Sequence, residues 1–135
     1  MIDIHCHILP GIDDGARDIT ESAEMVNVAR LNKIDAIIAT PHFTDFNKIE
    51  DFLFNRYEAI QDFKEVLDSF EDKPAVAYGA EVFLDSKVFT AGTLDELTLN
   101  GSRYMLCEYT LEPFVPEKAV VYAEEICARG YIPIL

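Results

Sequence analysis

Met1-Ile2-Asp3-Ile4-His5-Cys6-His7 opens the chain as a short apolar strand that carries two histidines two residues apart. Successive side chains of an extended strand alternate between faces, so His5 and His7 are expected to point the same way. Asp3 has the same parity and is a possible partner of the two rings. Two imidazoles at the end of one strand make half of a metal site. Alone, the His-x-His pattern is a weak signal, because half-buried histidines often do no more than satisfy a backbone hydrogen bond. Its weight depends on where the other polar residues fall.

The rest of the chain alternates strand and helix. Residues 9–15 form a loop rich in turn residues. Asp18 is placed to cap a helix, with Glu21 in the capping-box position, and that helix runs to about Asn32. Residues 35–40 read as a buried strand by their continuous apolar content. Pro41 ends it and His42 follows. A long helix covers roughly residues 49–70, with Leu53, Tyr57, Ile60 and Leu67 on its apolar face. After Pro74, residues 75–80 form a third strand that ends at Glu81. Residues 84–99 mix helical spacing with Thr and Gly and define no clear element, and Asn100-Gly101 is a turn. Residues 103–107 form a fourth strand leading into Glu108. Pro113 and Pro116 start a third helix, Gly130 closes it, and residues 131–135 begin a fifth strand. Such alternation predicts an α/β fold of parallel βα units. No repeat, low-complexity tract or linker interrupts it, and 135 residues amount to one domain.

Eleven basic residues face twenty-five acidic ones, a net charge of -14. Such a surface repels phosphate backbones, which argues against nucleic-acid binding. No apolar run is long enough for membrane insertion, and the start of the chain lacks the apolar stretch of a signal peptide. Cys6, Cys107 and Cys127 are odd in number and unpaired in spacing, which fits a reducing, cytoplasmic location. No arginine stands six residues after any of them, so the Cys-x5-Arg loop of cysteine phosphatases is absent. Cys6 and Cys107 fall inside apolar strand patterns and read as small core residues.

In parallel βα folds, functional groups gather at the carboxyl ends of strands. His5 and His7 end the first strand, His42 follows the second, Glu81 the third and Glu108 the fourth. All five should converge on one rim. Imidazole and carboxylate donors suit Zn, Mn and Fe, and carboxylates can bridge two ions. Asp13 or Asp14 could add an oxygen donor, although turn chemistry accounts for Asp13 equally well.

The opening run through Ile8-Leu9-Pro10-Gly11-Ile12-Asp13-Asp14-Gly15-Ala16 resembles the amino terminus of bacterial tyrosine phosphatases of the polymerase-and-histidinol-phosphatase (PHP) superfamily. These are the CpsB/CapC-type enzymes of capsule and exopolysaccharide synthesis. Ala39-Thr40-Pro41-His42, Gly79-Ala80-Glu81-Val82 and Leu106-Cys107-Glu108-Tyr109 carry the resemblance along the whole chain. It implies a distorted (β/α)7 barrel of which about the first five βα units are present. It also implies metal ligation by His5, His7, Asp14, His42, Glu81 and Glu108. Two or three divalent ions would be held, with manganese suggested and iron, zinc or cobalt compatible. The implied chemistry is hydrolysis by metal-activated water, so no catalytic side chain is assigned. The implied partner is the phosphotyrosine tail of an autophosphorylating bacterial tyrosine kinase. The His-Pro-Glu-Arg and Asp-x-His segments of the family, which supply an arginine and further ligands, have no counterpart here. Residues 1–135 are therefore expected to be the amino-terminal part of one phosphatase domain, inactive alone. A histidinol-phosphatase-like enzyme and an inactive metal-binding or interaction module are the alternatives.

Overall fold

Nearly every apolar run of the sequence becomes a parallel strand, but two of them become two strands each. The computed structural model describes residues 1–109 and 115–135. In chain order its elements are β1 (Ile2–Cys6), α1 (Ile19–Leu31), β2 (Ala36–Ala39), β3 (His42–Phe43), α2 (Ile49–Asp68), β4 (Ala75–Tyr78), β5 (Glu81–Phe83), β6 (Tyr104–Glu108), α3 (Pro116–Ala128) and β7 (Ile132–Ile134). One sheet has the order β1-β2-β4 and the other β3-β5-β6-β7. Every strand pairing among the described residues is parallel, which makes this a mixed α/β fold. No helix among them is long and apolar enough to cross a membrane.

The expected second strand breaks at Thr40-Pro41. Pro41 has no N–H to extend the ladder. Thr40 instead closes the pairing with β1: its amide donates to the Cys6 carbonyl at 2.9 Å, and its Oγ1 accepts the Cys6 amide at 3.0 Å. The expected third strand breaks at Gly79-Ala80. There the backbone runs so close to Thr98 and Leu99 that a Cβ on Gly79 would lie 3.0 Å from Leu99 Cδ2 and 3.1 Å from the Thr98 carbonyl. The two breaks sit side by side, with the Gly79 amide on the Ala39 carbonyl at 2.9 Å and the Glu81 amide on the Pro41 carbonyl at 3.0 Å. Below them β2 pairs with β4. Above them β3 pairs with β5, placing His42 opposite Glu81.

β1 holds a bulge. Asp3 is opposite Ile37 and Cys6 opposite Ala39, three steps against two. Asp3 Oδ1 accepts the His5 amide inside the bulge at 3.1 Å. The extra residue changes the parity. Asp3 lines a cavity with Cys6, Met25 and Val28 on the α1 side, whereas Ile4 lies with Ile38, Tyr104 and Ile134. His5 and His7 do face the same way, and Asp3 does not share their face.

The helices follow local rules. Asp18 caps α1 by accepting from the Thr20 and Glu21 amides at 2.8 and 3.0 Å. Glu21 does not return the bond to Asp18; it takes the amide and guanidinium of Arg17. Pro116 occupies the first turn of α3, where a missing N–H costs nothing. The expected start of that helix at Pro113 lies outside the described residues. The ambiguous stretch 84–99 holds short 3-10 turns, Ser86–Phe89 and Asp95–Leu97, that bury Val88 and Leu97.

The buried stripe of α2 is Ala59, Phe63 and Val66, at helical spacing. Tyr57, expected on the apolar face, is 58 % exposed. Ile60 and Leu67 pack at the margin of the core that Phe63 shares with Ile8, Leu9, Val26 and Ile37. Phe63→Ala should therefore cost about 3–5 kcal/mol in denaturant unfolding. Tyr57→Ala should change stability by less than about 0.5 kcal/mol. The reverse ranking would show that α2 is turned the other way.

Candidate metal centre

The bulge, the two strand breaks and the loop after β1 bring six side chains to one place. His5 Nε2 and His7 Nε2 are 3.1 Å apart, and each is 3.1 Å from Glu81 Oε2. His42 Nδ1 lies 3.3 Å from the same Glu81 oxygen and 3.3 Å from Glu108 Oε2. His42 Nε2 is 3.4 Å from Asp14 Oδ1. The rings of His7 and His42 are 4.6 Å apart at their centres. His5, His7, Asp14, His42, Glu81 and Glu108, all singled out in the sequence, thus meet in three overlapping donor triads. One triad is His5-His7-Glu81, one is His42-Glu81-Glu108 and one is His7-Asp14-His42.

The donor set fits divalent ions in chemistry and in spacing. Atoms that share one ion through bonds of about 2 Å lie roughly 3–3.5 Å from one another. The donors are imidazole nitrogens and carboxylate oxygens, as suits zinc, manganese or iron. Four acidic side chains, Asp13 included, crowd three imidazoles. No Lys or Arg among the described residues pairs with any of them. That excess of negative charge is what cations neutralise. Glu81 Oε2 belongs to two triads, the position of a carboxylate able to bridge two ions. His42 belongs to the triad with Glu81 and Glu108 and to the triad with His7 and Asp14. As a neutral imidazole it has a single lone pair and can serve only one side at a time.

The aspartate pair of the loop divides its work. Asp14 is 83 % exposed and reaches His42, while Asp13 is 6 % exposed. Asp13 Oδ2 lies 2.8 Å from His7 Nδ1 and accepts from the His42 amide at 3.0 Å, and Oδ1 accepts from the Gly15 amide at 3.0 Å. Burial works to raise the Asp13 pKa, but these hydrogen bonds outweigh it and hold the carboxyl below its ordinary range. The Gly15 bond is the turn chemistry expected of this residue. The bonds to His7 and His42 carry no trace in the sequence spacing. Gly15 itself admits no side chain, because a Cβ there would lie 2.3 Å from the Cβ and carbonyl oxygen of His7.

The thiols stand apart from this chemistry. Cys6 is pushed up to about 11 by burial and by the nearby Asp3, and Cys107 to about 12 by burial. Both are thiols at neutral pH and poor nucleophiles.

The family described as capsular polysaccharide synthesis, CpsB/CapC, matches the chain over residues 1–135. The tyrosine-protein phosphatase YwqE of Bacillus subtilis (strain 168) is 36 % identical over 137 residues, which cover 100 % of this chain and 53 % of that protein. The putative tyrosine-protein phosphatase CapC of Staphylococcus aureus is 28 % identical over 100 % of this chain and 52 % of its own length. The tyrosine-protein phosphatase CpsB of Streptococcus pneumoniae is 31 % identical over 82 % of this chain and 46 % of its own length. Among solved structures, a chain from the crystal structures of YwqE from B. subtilis and CpsB from S. pneumoniae superimposes with a TM-score of 0.78 at 33 % identity. It is matched over 98 % of this chain and 53 % of its own, and those proteins are described as unique metal-dependent tyrosine phosphatases. The chain spans about half the length of the curated relatives it matches.

Thiol titration at pH 8 checks the placement of the cysteines. The folded chain should show one rapidly reacting thiol, the exposed Cys127, with Cys107 reacting only on unfolding. Rapid modification of Cys107 without loss of structure would contradict its burial.

Proposed function

The chain belongs to the CpsB/CapC family of capsular polysaccharide synthesis proteins, and on that footing we propose that it forms the metal-binding part of a metal-dependent protein-tyrosine phosphatase. The observation that carries this reading is the convergence of three histidines on one buried carboxylate oxygen, Glu81 Oε2, at 3.1–3.3 Å. In this proposal His5, His7 and Glu81 hold one divalent ion. Glu81, Glu108 and His42 hold a second, and the exposed Asp14 carboxylate offers an oxygen donor for a third. We assign manganese, the ion the family resemblance suggests, to these positions. Bound divalent ions would supply positive charge to phosphoryl oxygens and bring water near neutral pKa. Glu81 supplies the shared anionic oxygen. His5 and His7 present their Nε2 atoms from one face of β1. The raised thiol pKa values of Cys6 and Cys107 disfavour both as the nucleophile.

The proposed fold of the whole domain is a distorted PHP-type (β/α)7 barrel, to which the two parallel sheets contribute the amino-terminal units. The proposed substrate is the phosphotyrosine tail of an autophosphorylating kinase that controls capsule or exopolysaccharide synthesis in the cytoplasm. An acidic chain that turns acidic side chains toward a phosphate ester needs cations between the two, which ties substrate binding to the metal set.

In the protein that carries this chain, His7→Ala and Glu108→Ala should each lower hydrolysis of a phosphotyrosine peptide by at least about 100-fold. Cys6→Ser, Cys107→Ser and Cys127→Ser should leave most of it. Chelation should abolish activity and Mn2+ restore it. Activity that resists chelators and follows the thiols, or that prefers histidinol phosphate to the peptide, would refute the assignment.

A further inference from the structure

Asp13, its side chain only 6 % exposed, is the one acid of the centre that belongs to none of the three donor triads. Its two oxygens face two backbone amides and a ring nitrogen: His7 Nδ1 and the His42 amide on Oδ2, and the Gly15 amide on Oδ1. The amides can only donate. A carboxylate accepts from all three at once, and the two backbone amide donors favour that ionised form. The ring nitrogen of His7 must then be the donor. A neutral imidazole has a single N–H, so the Nε2 lone pair is left pointing at His5 Nε2 and Glu81 Oε2, each 3.1 Å away. The opposite tautomer would set a lone pair against the Asp13 carboxylate, the shorter of the ring's two carboxylate contacts, and an N–H on the Glu81 side, where a bound ion would need a donor atom.

The second bond of Oδ2 acts on another strand. His42 opens β3 directly after Pro41, where the ladder of β2 has ended. Its amide is taken up by Asp13. One oxygen therefore ties the last residue of the β1 segment to the first residue of β3. The loop that carries Asp13 is itself fixed: the Ala16 amide donates to the His7 carbonyl at 3.0 Å and the Gly11 amide to the Ala16 carbonyl at 2.8 Å. Gly15 lies against His7 with no room for a Cβ.

We propose that Asp13 is a positioning residue that holds His7 in its Nδ1–H form and sets where His42 enters the centre. This rests on the metal-centre reading given above. Such carboxylate–histidine pairs orient ligand rings and raise their basicity, and their loss lowers metal affinity 10- to 100-fold.

The test uses the metal-free protein that carries this chain, labelled with nitrogen-15, at a pH where the imidazoles are neutral. Imidazole nitrogen shifts, with His7 assigned through His7→Gln, should show His7 protonated on Nδ1. This measurement needs no Asp13 variant and so does not depend on one folding. In Asp13→Ala the Nδ1–H form should be lost, and calorimetric affinity for Mn2+ should fall 10- to 100-fold. Asp13→Asn keeps one acceptor and should recover the tautomer and part of the affinity. A wild-type His7 protonated on Nε2, or an Asp13→Ala chain that binds Mn2+ as tightly as wild type, would overturn the proposal. A wild-type chain that takes up no Mn2+ while His7 stays protonated on Nδ1 would sink the metal reading and uphold Asp13's hold on the ring.

Discussion

Glu81 is a buried carboxylate whose Oε2 has nitrogen atoms of three imidazoles within 3.3 Å. A carboxylate removed from water is unfavourable unless its charge is answered. Neutral imidazoles answer it only as dipoles, and Asp13, Asp14 and Glu108 add further negative charge nearby. Many features of the fold serve to hold this arrangement together. The break at Gly79-Ala80 places Glu81 at the start of β5, and the break at Thr40-Pro41 places His42 opposite it. Arg56, packed over the Phe52 ring, donates to the carbonyls of Gly79 and Glu96 at 2.8 and 2.9 Å and pins α2 to that corner.

Much of this was legible in the sequence because it depends on strand ends. His5, His7, His42, Glu81 and Glu108 each follow an apolar run, and parallel βα units turn such positions toward one rim. The family to which the chain belongs and the convergence of these residues were accessible from short motifs alone. The number of strands was not. Thr40-Pro41 and Gly79-Ala80 look like strand endings in one dimension, and only a neighbouring break at the same height turns each into a change of sheet.

The misplaced residues have a common cause: each depends on a partner distant in sequence. Strict alternation put Asp3 beside His5 and His7. The bulge between Asp3 and Cys6 is a mismatch of count against β2, which β1 alone does not contain. The buried face of α2 was set one step away from Ala59, Phe63 and Val66 because Tyr57 and Leu53 fit a helical stripe as well. In the Asp13-Asp14 pair, composition gives both residues the same chemistry. The fold sends one inward to two backbone amides and the His7 ring and leaves the other at the surface.

The adjoining strand breaks also bear on the order of events in folding. The chain passes from the first sheet to the second at Thr40-Pro41, returns through α2, and passes again at Gly79-Ala80. Each sheet is thus threaded by segments whose continuations lie in the other. Neither can be completed as a separate intermediate of contiguous sequence, and the strand pairings within each are non-local, such as Ile2 with Ala36 and His42 with Glu81. Non-local parallel pairing of this kind is intrinsically slow to form. The site at the seam takes shape only where both sheets are in register.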